Sequence, residues 1–305
     1  MRIFRTSASS KSSSSDASPR LSPHTAGILL FFCGLIAFGA FDAASKYLLQ
    51  SFPAPFLNVM RYGTVMLVGL GMLVHHGVPY WPGIPCKKLL ILRGMALGAV
   101  GTCFMTALAW MPLAEATAIY FTSPLLVVAL SPWLLKESVQ TSKWIAVITG
   151  FCGMLLIVRP GNDLPWLGTL LMVIAAISFA IFQLLTRQLA GRVDAAVQYS
   201  TTAFICLIIT GIPAPFFLPD PWPTWGEFGF IVLVGVCNAA GQLLLLAAFK
   251  RVAASTLAPF NYLQLLMAVL FSTFLFHHPP DTLALCGIGL ITGAGIFLAT
   301  RRATP

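Results

Sequence analysis

Four ionisable residues stand where an apolar chain can least accommodate them: Asp42, Lys46, Arg61 and Glu115. Each lies in or at the edge of a long apolar run, where a charge is expensive and usually functional. Asp42 and Lys46 are four apart, so on a helix they share one face and could pair. Arg61 and Glu115 fall toward the same outer side of the membrane as that pair. Together they offer two acids and two bases that could bind a substrate or gate access to it. Two structural ion pairs snorkelling toward headgroups would use the same residues. Glu115 has a further reading, a carboxylate beside a helix amino terminus, whose dipole favours negative charge.

A second polar set is uncharged. Asn238 and Gln242 are four apart and hence on one helix face, and Asn261, Tyr262 and Gln264 follow on a later run. They are candidates for substrate binding near the midplane, or for interhelical hydrogen bonds of roughly 0.6 kcal/mol each. Tyr120, with Trp110 and Tyr62, could line an aromatic wall, pack internally or mark an interface. Gln183, Arg187, Gln198 and Tyr199 form a counterpart toward the inner side, where Arg187 would also serve as a topology anchor.

Other chemistry is not expected. His75-His76 and His277-His278 lack Cys or acidic neighbours at zinc spacing, so no metal site is expected. The sequence has no phosphate-cradling G-x-x-x-x-G-K-[ST] and no G-x-S-x-G nucleophile turn. No cofactor is expected, and the chain does not read as an enzyme.

The elements that must hold these residues follow from composition. Of 305 residues, 9% are charged and 58% are hydrophobic, and the mean hydropathy is +0.87. A soluble domain carries about 25% charged residues. This excludes an ordinary soluble enzyme, a nucleic-acid-binding domain and a disordered scaffold. Ten apolar segments cover 25–48, 55–75, 89–111, 114–135, 143–159, 166–186, 196–216, 228–249, 254–275 and 283–300. Most approach the ~20 residues that cross a bilayer as helix, and none shows the short alternation of a barrel strand. The expected class is all-α, a polytopic membrane protein. The seven cysteines are scattered singly and read as small buried hydrophobes.

Loop charge sets orientation. With the amino terminus inside, fifteen of the eighteen Lys and Arg residues fall on the inner side, Lys87, Lys88, Arg93 and Arg187 among them. Only Arg159 falls outside, with Asp163, Asp220, Glu227 and Asp281. This predicts a multi-pass protein of the cell (inner or plasma) membrane with both termini cytoplasmic. The net charge of +9 is thereby a topology signal, and no nucleic-acid partner is expected.

The halves repeat. Phe41-Asp42-Ala43-Ala44-Ser45-Lys46-Tyr47-Leu48 aligns with Phe182-Gln183-Leu184-Leu185-Thr186-Arg187-Gln188-Leu189, and Ala114 to Pro124 with Ala254 to Gln264. The apolar ends Trp144–Val158 and Ala284–Leu298 also run in parallel. Five helices per half is an odd number, so the second half enters from the opposite side. Ten transmembrane helices as two inverted five-helix repeats is an arrangement that places a substrate site between the halves. The expected division is a disordered cytoplasmic tail at 1–24, repeats at 25–160 and 161–300, and a cytoplasmic tail at 301–305. Pro124 and Pro259 fall in the corresponding helix of each half and could kink it. Gly94, Gly98 and Gly101, and Gly289 and Gly293, have the small-residue spacing of close helix packing.

The run Ala107 to Leu126, followed by Leu134-Leu135-Lys136-Glu137, Trp144 and Gly150-x-x-Gly153, resembles the EamA-type repeat. Ala258-Pro259-Phe260-Asn261-Tyr262-Leu263-Gln264, His278-Pro279-Pro280-Asp281 and a Gly-rich last helix look like a second copy. The resemblance implies the drug/metabolite transporter superfamily, with ten helices, both termini inside and a small-molecule substrate. It departs at one place: His278 stands where such repeats usually carry Glu, which Glu137 supplies in the first half. The expected function is a secondary transporter of a small organic metabolite (an amino acid, a nucleoside-like or a drug-like solute) by alternating access, in export or exchange. Asp42 or Glu115 could carry a coupled proton. A membrane-embedded lipid-modifying enzyme and a non-transporting membrane scaffold are the alternatives. Substrate, direction, coupling and oligomeric state stay open.

Overall fold

A computed structural model describes residues 23–76, 83–134, 141–158, 164–189, 192–249, 251–252 and 257–301. The described residues are helical, without strands. The helices are α1 (Pro23–Leu48), α2 (Ala54–His76), α3 (Lys87–Trp110), α4 (Leu113–Tyr120), α5 (Ser123–Leu134), α6 (Thr141–Val158), α7 (Trp166–Leu189), α8 (Ala195–Gly211), α9 (Trp225–Phe249), α10 (Tyr262–Phe274) and α11 (Thr282–Arg301). Single 3-10 turns, Ala214–Phe216 and Ala258–Asn261, precede α9 and α10. The tail to residue 22, residues 302–305, Arg159, Asp163 and Glu137 lie outside the described residues.

Seven spans are long and apolar enough to cross a bilayer, and three apolar helices, Lys143–Val158, Tyr262–Phe274 and Thr282–Phe297, are shorter. A backbone in hydrocarbon must satisfy its own hydrogen bonds, which these helices do. Large apolar side chains such as Leu67, Val74, Trp133 and Ile145 lie on the outer surface, which only an apolar solvent tolerates at this density. The cysteines divide: Cys206 is buried, whereas Cys33, Cys152 and Cys286 are on that outer surface.

Polar caps end the helices where they meet loops. Asp194 accepts from the Ala196 amide at 2.8 Å at the start of α8, and Asp281 from the Ala284 amide at 2.7 Å at the start of α11. Thr224 and Glu227 form a reciprocal capping box at α9. Two of the acids read as loop charges are thus helix caps.

The fourth apolar segment is not one helix. It breaks after Tyr120, and Phe121 and Thr122 form a turn before α5. Pro124 is the second residue of α5, where a missing amide costs nothing, so it starts a helix instead of kinking one. The Thr122 carbonyl accepts from Leu125 and Leu126 across that start. In the other half Pro259 lies in the 3-10 turn before α10. The fourth helix of the first half is therefore broken, the second half enters α10 through a 3-10 turn, and α4 packs on α10.

Helix pairing repeats between halves. The major contacts are α1 with α9, α3 with α7, α2 with α8 and α6 with α11. Exchanging the halves turns α1–α9 into α7–α3, turns α2–α9 into α8–α3, and leaves α2–α8, α6–α11 and α4–α10 in place. Glycines permit the closest crossing. A Cβ on Gly153 would lie 2.7 Å from the Gly287 carbonyl oxygen, and one on Gly287 would lie 2.5 Å from that of Gly153. Gly94 and Gly98 do pack closely, against Ile205 and Ile209 of α8. Gly289 and Gly293 do not: a Cβ there meets nothing within 4 Å, because they lie on the opposite face from Gly287.

Candidate functional site

Lys46 and Glu115 sit at the two sides of the short connection between α3 and α4. Lys46 Nζ donates to the carbonyls of Leu108 at 2.7 Å and Met111 at 2.8 Å. These are among the terminal carbonyls that an α-helix leaves without partners, and a cation is favoured there. Glu115 occupies the first turn of α4, the end that favours an anion. It is 7% exposed, its Oε2 has no hydrogen-bond partner, and Asp281 is the charged group that acts on it. The ion pair that the spacing of Asp42 and Lys46 allows is not formed.

Asp42 turns instead to the other half. Its Oδ2 accepts from Gln264 Nε2 of α10 at 2.7 Å, in surroundings that leave Asp42 7% exposed. The outer set and the midplane set of the sequence reading thus join at this bond. Asn261 closes the 3-10 turn just before α10, and Tyr262 is the first residue of the helix. Tyr262 is buried: its ring is 5.8 Å from that of Phe121 and fills the space left by Gly295 of α11. Its hydroxyl is buried without a partner.

Arg61 is deeper than its sequence position suggests. Its guanidinium lies 4.3 Å from the Tyr62 ring centre and 5.4 Å from that of Phe41. It rests against Gly101, within one turn of the midpoint of α3. Asn58 Nδ2 donates to the Gly101 carbonyl at 3.0 Å, and Tyr62 Oη to that of Leu97 at 3.3 Å, which fixes this face of α2 on α3. Arg61 Nε is buried with no acceptor. Arg61 acts on Asp42 electrostatically, but the two form no ion pair.

Arg93 is the residue that sequence reading missed. Its place near Lys87 and Lys88 made it one more inner-side label. It is instead 9% exposed and held from the second half. Nε donates to Thr186 Oγ1 at 2.7 Å and Nη1 to the Gln198 carbonyl at 3.0 Å, with Thr202 Oγ1 as a further acceptor. The guanidinium lies 4.5 Å from the Phe182 ring centre. Phe182 is the residue that the repeat aligns with Phe41. Two signals were present: an arginine buried in the run Leu89-Leu90-Ile91-Leu92-Arg93-Gly94, and that pair of matched phenylalanines.

Aromatic rings lead from the break after Tyr120 toward Arg93. Tyr120 is 5.1 Å from Phe104 and 5.1 Å from Phe179, which stacks on Phe182 at 5.8 Å. With Phe121 and Tyr262 this forms a continuous series from the start of α10 past the break after Tyr120 to Arg93. Tyr62 belongs to the Arg61 station, and Trp110, 52% exposed, faces outward. Asn238 is buried and Gln242 half-buried on α9, with no side chain of the other candidates in hydrogen-bond reach. Gln183 is half-buried and Arg187 exposed on α7. Tyr199 packs beside Gly69 with its hydroxyl buried and unpartnered. Gln198 donates to the Val193 carbonyl at 3.0 Å, a local bond at the start of α8. His278 is exposed, its backbone tied to Ser272 by two hydrogen bonds of 2.8 Å. Among the described residues no three His, Cys, Asp or Glu side chains gather at a metal-binding distance.

Comparison with known proteins places this geometry. The EamA-like transporter family matches twice, over residues 25–159 and 166–301. An S-adenosylmethionine uptake transporter of Rickettsia bellii is 28% identical, covering 91% of this chain and 94% of its own length. A riboflavin transporter of Rhizobium johnstonii is 26% identical over 89% of this chain and 90% of its own. A solved crystal structure covers 92% of the chain with a TM-score of 0.62 at 18% identity, a likeness of fold. The two family segments divide the chain where the pairing of helices repeats, and the chain belongs to the EamA-like transporter family.

Proposed function

We propose that this protein is a secondary transporter that moves a small organic metabolite across the cell membrane by alternating access. In this reading ten spans form two inverted five-helix repeats, both termini are cytoplasmic, and α4 with α5 makes the fourth span. The observation that carries it is the Asp42–Gln264 hydrogen bond, made from a helix that a 3-10 turn opens. It ties the first helix of one half to the ninth span of the other, next to an arginine held near the middle of α3. Irregular backbone and charge at membrane depth are tolerated where they serve a cavity.

The relatives' names support a metabolite substrate. S-adenosylmethionine and riboflavin both carry a planar heteroaromatic system, a shape that the series Tyr120, Phe179 and Phe182 can stack against. Asp42 is the candidate proton carrier, because Glu115 is held at a helix terminus. The test is a metabolite comparison of cells lacking and overproducing the protein, with inside and outside pools measured. Saturable, protein-dependent movement of an unmodified solute is expected. Unchanged pools, together with no flux of either named solute into vesicles, would defeat the reading.

A further inference from the structure

We propose that the connection between α8 and α9 is an interfacial anchor whose partner is a neutral, zwitterionic phospholipid. It lies in the headgroup boundary and sinks Phe216, Phe217, Leu218, Trp222 and Trp225 among the lipids. The inference goes beyond the transport reading and needs only that the chain spans a membrane. The height of the connection is set by its ends. Ala196–Phe216 and Trp225–Leu245 are both long and apolar enough to cross a bilayer, so residues 217–224 lie where the two spans emerge. In the orientation proposed above this is the outer boundary. Phe216 is 83% exposed and Trp225 92%, and Phe217, Leu218 and Trp222 are exposed between them. An exposed apolar patch of this extent marks an interaction surface. It is continuous with the lipid-facing sides of the same two helices, where Ile208 and Leu233 are exposed.

Irregular backbone is tolerated near hydrocarbon only where its polar groups are satisfied, and this connection leaves few to satisfy. Pro213, Pro215, Pro219, Pro221 and Pro223 carry no amide hydrogen. The Phe216 and Phe217 amides donate to the Pro213 and Ala214 carbonyls at 3.1 and 3.0 Å within the 3-10 turn. The Thr224 amide donates to Glu227 Oε2 at 2.8 Å, and the Glu227 amide to Thr224 Oγ1 at 3.4 Å. Residues 224–229 are exposed in succession, which takes in every face of a helix of about 3.6 residues per turn. A helix end bare on all sides is marginal in water, and surrounding lipid removes that instability. Charge selects the lipid. Asp220 and Glu227 are the charged residues from 195 to 249, with no Lys or Arg among them, so nothing there holds an anionic headgroup. Trp222 also meets the ring of Phe56 edge to face at 6.2 Å. Phe56 is buried in one cluster with Phe41 and Leu57. The anchor is thereby clipped to the outer end of α2, the helix that carries Arg61.

Tryptophan quenching tests this, with the full chain in phosphatidylcholine nanodiscs. The Trp222 share of the emission is the difference between wild type and Trp222→Phe, a change that keeps a ring on Phe56. Phosphatidylcholine brominated near the head of its acyl chains should remove most of that share, and iodide in the water little of it. Two added probes, each read as its difference from wild type, stand independently of the Trp222 variant. Phe217→Trp should add emission that the brominated lipid quenches. Asp220→Trp should add emission that iodide quenches, because the charged position of the connection faces water. Replacing part of the lipid by phosphatidylglycerol should leave all three unchanged. Quenching of Trp222 and of the Phe217→Trp probe by iodide, with no effect of brominated lipid, overturns the anchor and makes the connection a loop in water. Quenching by neither overturns it too, and a dimeric mass would then identify a second copy as the cover. Brominated-lipid quenching that requires phosphatidylglycerol overturns the neutral partner. None of these readouts depends on solute flux, so the transport reading stands or falls separately.

Discussion

Arg61 and Arg93 occupy two stations about eight residues, or ~12 Å, apart along α3, each over one of two phenylalanines that the repeat aligns. The Arg93 station is closed: the guanidinium comes from the first half and its acceptors, Thr186, Gln198 and Thr202, from the second. The Arg61 station is open: two rings support the cation, and Nε has no acceptor. The same residue type over the same repeat position therefore does different work. A fully bonded buried arginine contributes to holding the halves together. Arg61 is instead seated on rings of its own half, with Nε unanswered. The contrast also shows why a count of intramembrane charges is a poor guide by itself, since what separates function from scaffold is whether the charge is already answered.

The contrast predicts a gap in stability. Arg93→Ala leaves a cluster of buried acceptors and removes at least two charged hydrogen bonds, so it should cost about 2–5 kcal/mol. Arg93→Lys should restore less than half of that, because an ammonium cannot span the same three acceptors. Unfolding in mild denaturant measures both. Arg61→Ala should cost only about 1 kcal/mol, from lost ring contacts, while abolishing transport. A stability loss at Arg61 as large as that at Arg93 would erase the distinction.

The aligned phenylalanines sharpen it at a smaller scale. Phe182→Leu and Phe41→Leu remove the same ring, each at a cation–π contact of about 0.5–2 kcal/mol. Phe182→Leu should lower stability and leave transport largely intact. Phe41→Leu should lower transport more than stability, because it removes one of the two rings that seat Arg61. Equal effects of the two on flux would break the analogy.

The smallest effect is an expected absence of coupling. Lys46→Met should cost about 1 kcal/mol by uncapping α3, and Asp42→Asn less, since an amide can keep the contact with Gln264. A double-mutant cycle between them should give a coupling within about 0.5 kcal/mol of zero. A coupling well above that would mean the ion pair forms after all.

Much of this was legible in the sequence, for reasons that particular residues make clear. Helices are visible because their apolar runs are long, and repetition is visible because Phe41 and Phe182 begin alignable runs. The break at Tyr120 was not visible, because Pro124 reads as a kink until one knows that it opens a helix. Spacing put Asp42 beside Lys46, yet both partners that each chose, Gln264 and the α3 carbonyls, lie far away in sequence. Local spacing says which groups can meet within a helix and nothing about what a neighbouring helix offers. Arg93 was lost for the opposite reason: its neighbours Lys87 and Lys88 supplied an adequate explanation that the fold overrides. The glycines show the same limit. Gly289 and Gly293 have packing spacing, but the crossing with α6 uses Gly287 on the other face.

The most direct test of the account is flux through three variants in one preparation. Proteoliposomes holding wild-type protein, Asp42→Asn, Arg61→Gln or Lys46→Met would be supplied with the solute found in the metabolite comparison, and initial uptake measured over a range of concentrations. The account predicts saturable uptake by wild type, uptake within about threefold of it in folded Lys46→Met, and loss of at least about tenfold in Arg61→Gln and Asp42→Asn, a difference of ~1.4 kcal/mol or more. Full uptake by both Asp42→Asn and Arg61→Gln would contradict it.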